Sequence, residues 1–123
     1  MNPNLVFQAV GLLALKPNWN RIGGAAPSAR ALFGTLWLAA TIEERTGCQP
    51  AAIEAGDGGD GYGAAYATYS LHHNSAGAAY VKLGFSNECA DQWAETGVYG
   101  SVGKMIPADT LWQCIDAVKA LYA

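Results

Sequence analysis

Residues 55–85 read AGDGGDGYGAAYATYSLHHNSAGAAYVKLGF. The stretch opens on four glycines and two aspartates within Gly56-Asp57-Gly58-Gly59-Asp60-Gly61. Glycine takes positive φ without a steric cost, so this run is a turn. Alternation of period two follows on both sides of a second turn, His72 to Gly77. Side chains on a strand alternate between faces. A strand over 62–71 therefore sets Tyr62, Ala64, Tyr66 and Thr68 on one face, and Ala65, Ala67, Tyr69 and Leu71 on the other. A strand over 78–85 sets Ala79, Val81, Leu83 and Phe85 against Tyr80, Lys82 and Gly84. Val81, Leu83 and Phe85 with Tyr69 and Leu71 make the core side. Tyr62, Tyr66, Tyr80, Thr68 and Lys82 face away from it.

A short strand over 48–55 precedes this hairpin, with Ile53 inward. Upstream lie two helices. Asn2-Pro3 is a good start, because asparagine caps and proline suits the first helical position. Leu5, Ala9 and Leu12 then keep helical spacing to Pro17. The second helix covers 27–46 and is apolar around most of its circumference. Leu32, Phe33, Leu36, Trp37 and Ala40 form the main stripe, which Leu38, Ala39 and Ile42 widen. Such a helix is either central in the fold or covered by a second molecule. Gly47 is placed to end it. Downstream, 86–95 reads as a polar connection and 98–105 as a fourth, edge strand weakened by Gly100 and Gly103. A last helix starts at Pro107, and its stripe is Leu111, Ile115, Val118 and Tyr122, with Cys114 and Leu121 beside it. The fold expected over 1–123 is a single α+β domain. N-terminal helices precede a three- or four-stranded antiparallel meander, and a C-terminal helix packs on one sheet face.

The totals bound the function. Of 123 residues, 51% are apolar and 14% charged, with a net charge of −3. A nucleic-acid binder would carry a basic patch, and the seven Lys and Arg are scattered singly. About a quarter charged is usual for a soluble domain, so part of the apolar surface is expected to be covered by a partner. Cys48, Cys89 and Cys114 are widely spaced with no CxxC, as expected of reduced thiols in a cytoplasmic protein. The apolar run at 5–15 lacks the basic flank of a signal peptide. The run at 31–42 falls short of the roughly 20 residues a membrane span needs.

The loop at 19–28, WNRIGGAAPS, resembles a motif of small uncharacterised prokaryotic and phage-borne proteins, W-D-x-x-G-A-x-x-P-S. Trp19, Gly23, Pro27 and Ser28 stand at that spacing, while Asn20 replaces the aspartate and Gly24 the alanine. The resemblance implies a helix, then a proline (here Pro50), a D-G-G turn (here Asp57-Gly58-Gly59) and strands. It implies a mobile-element origin and brings no activity.

Three groups of residues are candidates for chemistry. Asp57 and Asp60 carry carboxylates of the kind that bind calcium, but the EF-hand pattern and its closing glutamate are absent. The turn reads as punctuation, and no metal or other cofactor is expected. His72 and His73 are candidate general bases near neutral pH. As neighbours they point to opposite sides, so one site would use only one of them. The third group is the aromatic face: Tyr62, Tyr66, Tyr80 and Lys82, with His72 and Trp93 beside it. Aromatic side chains on a sheet face serve a protein interface or stack on a ring. Low charge favours protein contact. The expected function is a non-enzymatic, self-associating interaction module, a homodimer or a binder of another protein, with neither nucleic acid nor membrane as its partner. The alternative is a small-molecule-binding domain or small enzyme with a tyrosine-lined pocket.

Overall fold

The computed structural model of the chain describes residues 2–14, 26–57, 63–88, 92–107 and 110–123, with residues 13, 14 and 57 as backbone only. Trp19, Gly23, Gly24, the 58–61 turn with Asp60, Tyr62, Cys89 and the Asp57 side chain lie outside the described residues.

Helix α1 is Pro3–Ala14. The Asn2 side chain accepts the Asn4 N–H at its start (3.0 Å). Helix α2 is Ala29–Thr46. It starts two residues later than the sequence suggested, because Ser28 is extended (φ −71°, ψ 160°) and caps the helix, accepting the Ala31 N–H at 3.1 Å. Asn87 holds that start from 59 residues further along the chain. Its side chain accepts the Ser28 N–H (2.6 Å) and donates to the Ala26 carbonyl (2.7 Å). Gly47, at φ 75°, ends α2 as expected and donates to the Glu43 carbonyl.

Five strands follow in sequence order: β1 (Ala52–Asp57), β2 (Gly63–Tyr69), β3 (Ala79–Ser86), β4 (Gln92–Val98) and β5 (Lys104–Ile106). Every neighbouring pair is antiparallel, so the sheet is a meander ordered β1-β2-β3-β4-β5. Helix α3 (Leu111–Tyr122) closes the chain. Its cap is Thr110, in a reciprocal capping box with Gln113, and Pro107 lies before it. The architecture is α+β, with five strands where three or four were expected. The strand placed at 98–105 is a hairpin instead. Val98 ends β4, Gly100 turns at φ 93°, and β5 begins at Lys104. The polar connection at 86–95 contains most of β4. Strand β1 starts at Ala52 rather than residue 48, since Pro50 has no N–H to give a ladder.

The three described helices lie on one face of the sheet. Helix α2 crosses β2 and β3, α1 packs on β1, and α3 packs on β3, with α2 touching both other helices. The shared core takes Ile53, Tyr69, Val81 and Leu83 from the sheet, as the alternation predicts, together with Ala94 of the unexpected β4. Ala65 and Ala67 are small and fully buried. They let α2 come close enough for Thr35 Oγ1 to donate to the Ala65 carbonyl (3.0 Å). Phe85 packs against Gly34, where an added Cβ would stand 2.9 Å from the ring.

Two expectations about the core need correction. Leu71 is exposed, because β2 ends at Tyr69 and the alternation ends with it. On α2 the buried side is Ala31, Leu32, Thr35, Leu38, Ala39 and Ile42, while Phe33 and Trp37 point outward. Of the expected stripe Leu32 is buried, with the widening residues Leu38, Ala39 and Ile42, while Phe33, Trp37 and Ala40 face away from the sheet.

Candidate functional site

The sheet face turned away from the helices is set by register. Glu54 lies opposite Tyr66, Tyr66 opposite Gly84, and Gly84 opposite Trp93. In the next row, Thr68 lies opposite Lys82, and Lys82 opposite Glu95. Tyr80 lies opposite Gly97. The structure thus brings together Tyr66, Tyr80, Lys82 and Trp93. His72 is exposed and stands apart from them, while His73 reaches over the face.

Glycines let the rings lie flat. A Cβ at Gly84 would collide with the Ala65 carbonyl and the Tyr66 backbone. A Cβ at Gly103 would collide with the Tyr80 hydroxyl, and one at Gly97 would stand 2.9 Å from it. Tyr80 therefore spreads across Gly97 and Gly103 and donates to Glu95 Oε2 at 2.7 Å. Tyr66 covers Gly56 and reaches the Ala55 carbonyl (3.4 Å). Lys82 sits between the two rings, its Nζ 5.0 Å from the Tyr66 centroid and 4.9 Å from that of Tyr80. Each such cation–π contact contributes about 0.5–2 kcal/mol, more as water is excluded. Trp93 meets Tyr66 edge-on at 5.6 Å.

This face is a second, smaller packed layer. Tyr80 is only 4% exposed. Burial, the hydrogen bond to Glu95 and the Glu95 charge push its phenol up to about 12. Burial and the charges of Glu54 and Glu95 push Tyr66 up to about 12 as well. Both stay neutral donors at ordinary pH. The Thr68 hydroxyl and the Trp93 indole N–H are buried here without a protein partner.

At one end of the face the groups are less covered. Tyr99, just past β4, lies tilted over Tyr80 with centroids 5.0 Å apart. Its hydroxyl is 3.0 Å from His73 Nδ1, and His73 Nε2 is 3.9 Å from Glu54 Oε1. Sequence reasoning left Glu54, Glu95 and Tyr99 out. Glu54 was within reach of it: in an antiparallel pair, Glu54 shares a face with its partner Tyr66. Glu95 and Tyr99 depended on recognising β4.

Among the described residues no group of three or more His, Cys, Asp or Glu is arranged to hold a metal ion. No family model, curated protein or solved structure matches this chain. No helix among the described residues is long and apolar enough to cross a membrane.

The outer side of the helical layer is different in character. On α1, Leu5 and Ala9 face the core, so at 100° per residue Phe7 and Val10 face out. Phe7 is 72% exposed. On α2, Phe33 (63% exposed) and Trp37 (57%) are one turn apart and both face out. Helix α1 carries no charged residue, and the charges of α2 stand at its ends, Arg30 and Glu43-Glu44-Arg45. Trp112 on α3 is also exposed, with the Arg45 guanidinium 5.2 Å from its ring centroid.

Both sheet edges are blunted. The outward Ile53 N–H of β1 donates to Gln8 Oε1 (3.0 Å), and the Ala55 carbonyl receives the Tyr66 hydroxyl. Strand β5 is three residues long, begins with Lys104 and is followed by Pro107. Short, charged and proline-flanked edges resist pairing with another strand.

Proposed function

We propose that the protein is a self-associating interaction module whose contact surface is the outer side of α1 and α2, and whose partner is a second copy of the chain. One observation carries this reading: Phe7, Val10, Phe33 and Trp37 stand exposed on neighbouring helices, α1 without a charged residue and α2 with its charges at its ends. Large apolar side chains exposed on neighbouring helices mark an interaction surface. An uncharged patch meets its own copy without like-charge repulsion, which suits a two-fold interface where the same residues face each other. The alternatives on this molecule are less open. The sheet edges are blunted, and the tyrosine face is filled by its own side chains.

A standard interface buries about 800 Å² on each partner. The molecule exposes 6580 Å² in all, so one side of the helical layer suffices. Sedimentation velocity across a concentration series tests the reading. The expected result is a reversible dimer that Trp37→Asp or Phe7→Asp converts to monomer. A monodisperse monomer at high micromolar concentration, or a dimer indifferent to both changes, would sink it.

A further inference from the structure

We propose that Tyr99 is a nucleophilic phenol for group transfer from an uncharged electrophile of the acyl or sulfonyl class, with His73 as its general base and Glu54 as a positioning residue. The inference rests on the open end of the tyrosine face and is independent of the helical surface.

His73 acts here as the neutral tautomer with its proton on Nε2, the nitrogen turned toward Glu54 Oε1 at 3.9 Å, a contact longer than a hydrogen bond. In that tautomer Nδ1 presents a lone pair to the Tyr99 hydroxyl, 3.0 Å away. This is the order of a carboxylate–imidazole–hydroxyl relay, with a phenol in the nucleophile's place. In the transfer, Tyr99 Oη bonds to the electrophilic carbon or sulfur. The leaving group departs with its electron pair, and the phenolic proton passes to His73 Nδ1. The imidazolium so formed faces the Glu54 carboxylate. The side chains of Glu54 and His73 are 32% and 28% exposed, so a reagent can reach this end of the face.

The other described tyrosines lack this combination. Tyr80 also faces a carboxylate but is buried, and Tyr66 gives its hydroxyl to a backbone carbonyl. Tyr69 is enclosed in the core, and Tyr122 has its hydroxyl at the Ser70 backbone. The Tyr80 ring beneath Tyr99 limits its tilt, as a nucleophile needs. The class of electrophile follows from charge. Glu54 and Glu95 border the face, and its lysine is held between two rings, so an anionic phosphoryl donor is disfavoured.

The test is covalent labelling with benzenesulfonyl fluoride, in which the S–O bond to tyrosine forms and fluoride leaves, read by peptide mass mapping. Tyr99 is expected to label faster than any other tyrosine. His73→Gln keeps a hydrogen-bonding partner but no base, and should slow Tyr99 by about 100-fold. His72→Gln should leave the rate unchanged. Glu54→Gln should slow labelling and shift the His73 tautomer seen in its nitrogen-15 spectrum. The anionic analogue 4-(fluorosulfonyl)benzoate should react more slowly than the neutral probe. Tyr99 labelling no faster than Tyr66, Tyr80 or Tyr122 in the unmodified protein would overturn the proposal whatever the variants do. So would a wild-type rate in folded His73→Gln. Equal rates for the two probes would overturn the assignment to an uncharged electrophile.

Discussion

Gly84 shows how much one residue decides on this sheet. Its missing side chain leaves room for the Ala65 carbonyl and lets Tyr66 and Trp93 meet across β3. Gly84→Ala should destabilise the fold by about 2–3 kcal/mol, read from the urea midpoint, because the collision is with backbone that has no room to move. Tyr80 makes a second argument at this scale, through pH. Its phenol and that of Tyr66 titrate at about 12 in the folded chain against about 10 when unfolded. The unfolded chain therefore loses these protons first. The stabilisation is complete below pH 10 and is lost as the pH rises toward 12. Denaturation curves between those values should show falling stability, with a shallower slope in Tyr80→Phe. At neutral pH the same variant should be less stable by about 1–3 kcal/mol, since Glu95 loses its donor.

At the scale of elements, the local signals worked where they were chemical. Asn2-Pro3 starts α1, Gly47 ends α2, and the Val81/Leu83 alternation chose the core side of the sheet. They failed where tertiary packing decided. Strand β4 carries Gln92, Glu95 and Thr96, so it shows no apolar alternation, and its pairing with β3 is what makes it a strand. On α2 both faces are apolar, so hydrophobicity had no means of choosing between them. The buried face mixes Leu32, Leu38 and Ile42 with Ala31, Thr35 and Ala39, the small residues that suit close approach to Ala65 and Ala67. The same holds for the candidate site. Tyr66, Tyr80 and Lys82 were legible from alternation within one hairpin. His73 was named from the hairpin's own turn, while Glu95 and Tyr99 join the face only through β4 and the turn after it, which the sequence did not show as a strand. The start of α2 gives the prediction at this scale. Ser28 caps it with one bond, and Asn87, just past β3, pins it with two more. Ser28→Ala should cost about 1 kcal/mol. Asn87→Ala should cost about 1–3 kcal/mol, because it leaves the Ser28 N–H and the Ala26 carbonyl, both partly buried, without their partner.

The whole molecule is a two-layer arrangement with its two outer surfaces in opposite states. The outer sheet surface has closed on itself, with tyrosines laid over glycines and a lysine clasped between them. Among the described residues the outer helical surface is less covered. Phe7 remains exposed on a helix without charge, and Phe33 and Trp37 on a helix whose charges stand at its ends. Self-association there would complete burial that the chain does not achieve alone. The most direct test is an isotope-filtered NOE experiment on a mixture of labelled and unlabelled protein at a concentration where the dimer forms. The account predicts intermolecular contacts among the Phe7, Phe33 and Trp37 rings. Intermolecular contacts confined to the Tyr66 and Trp93 face, or none at all, would contradict it.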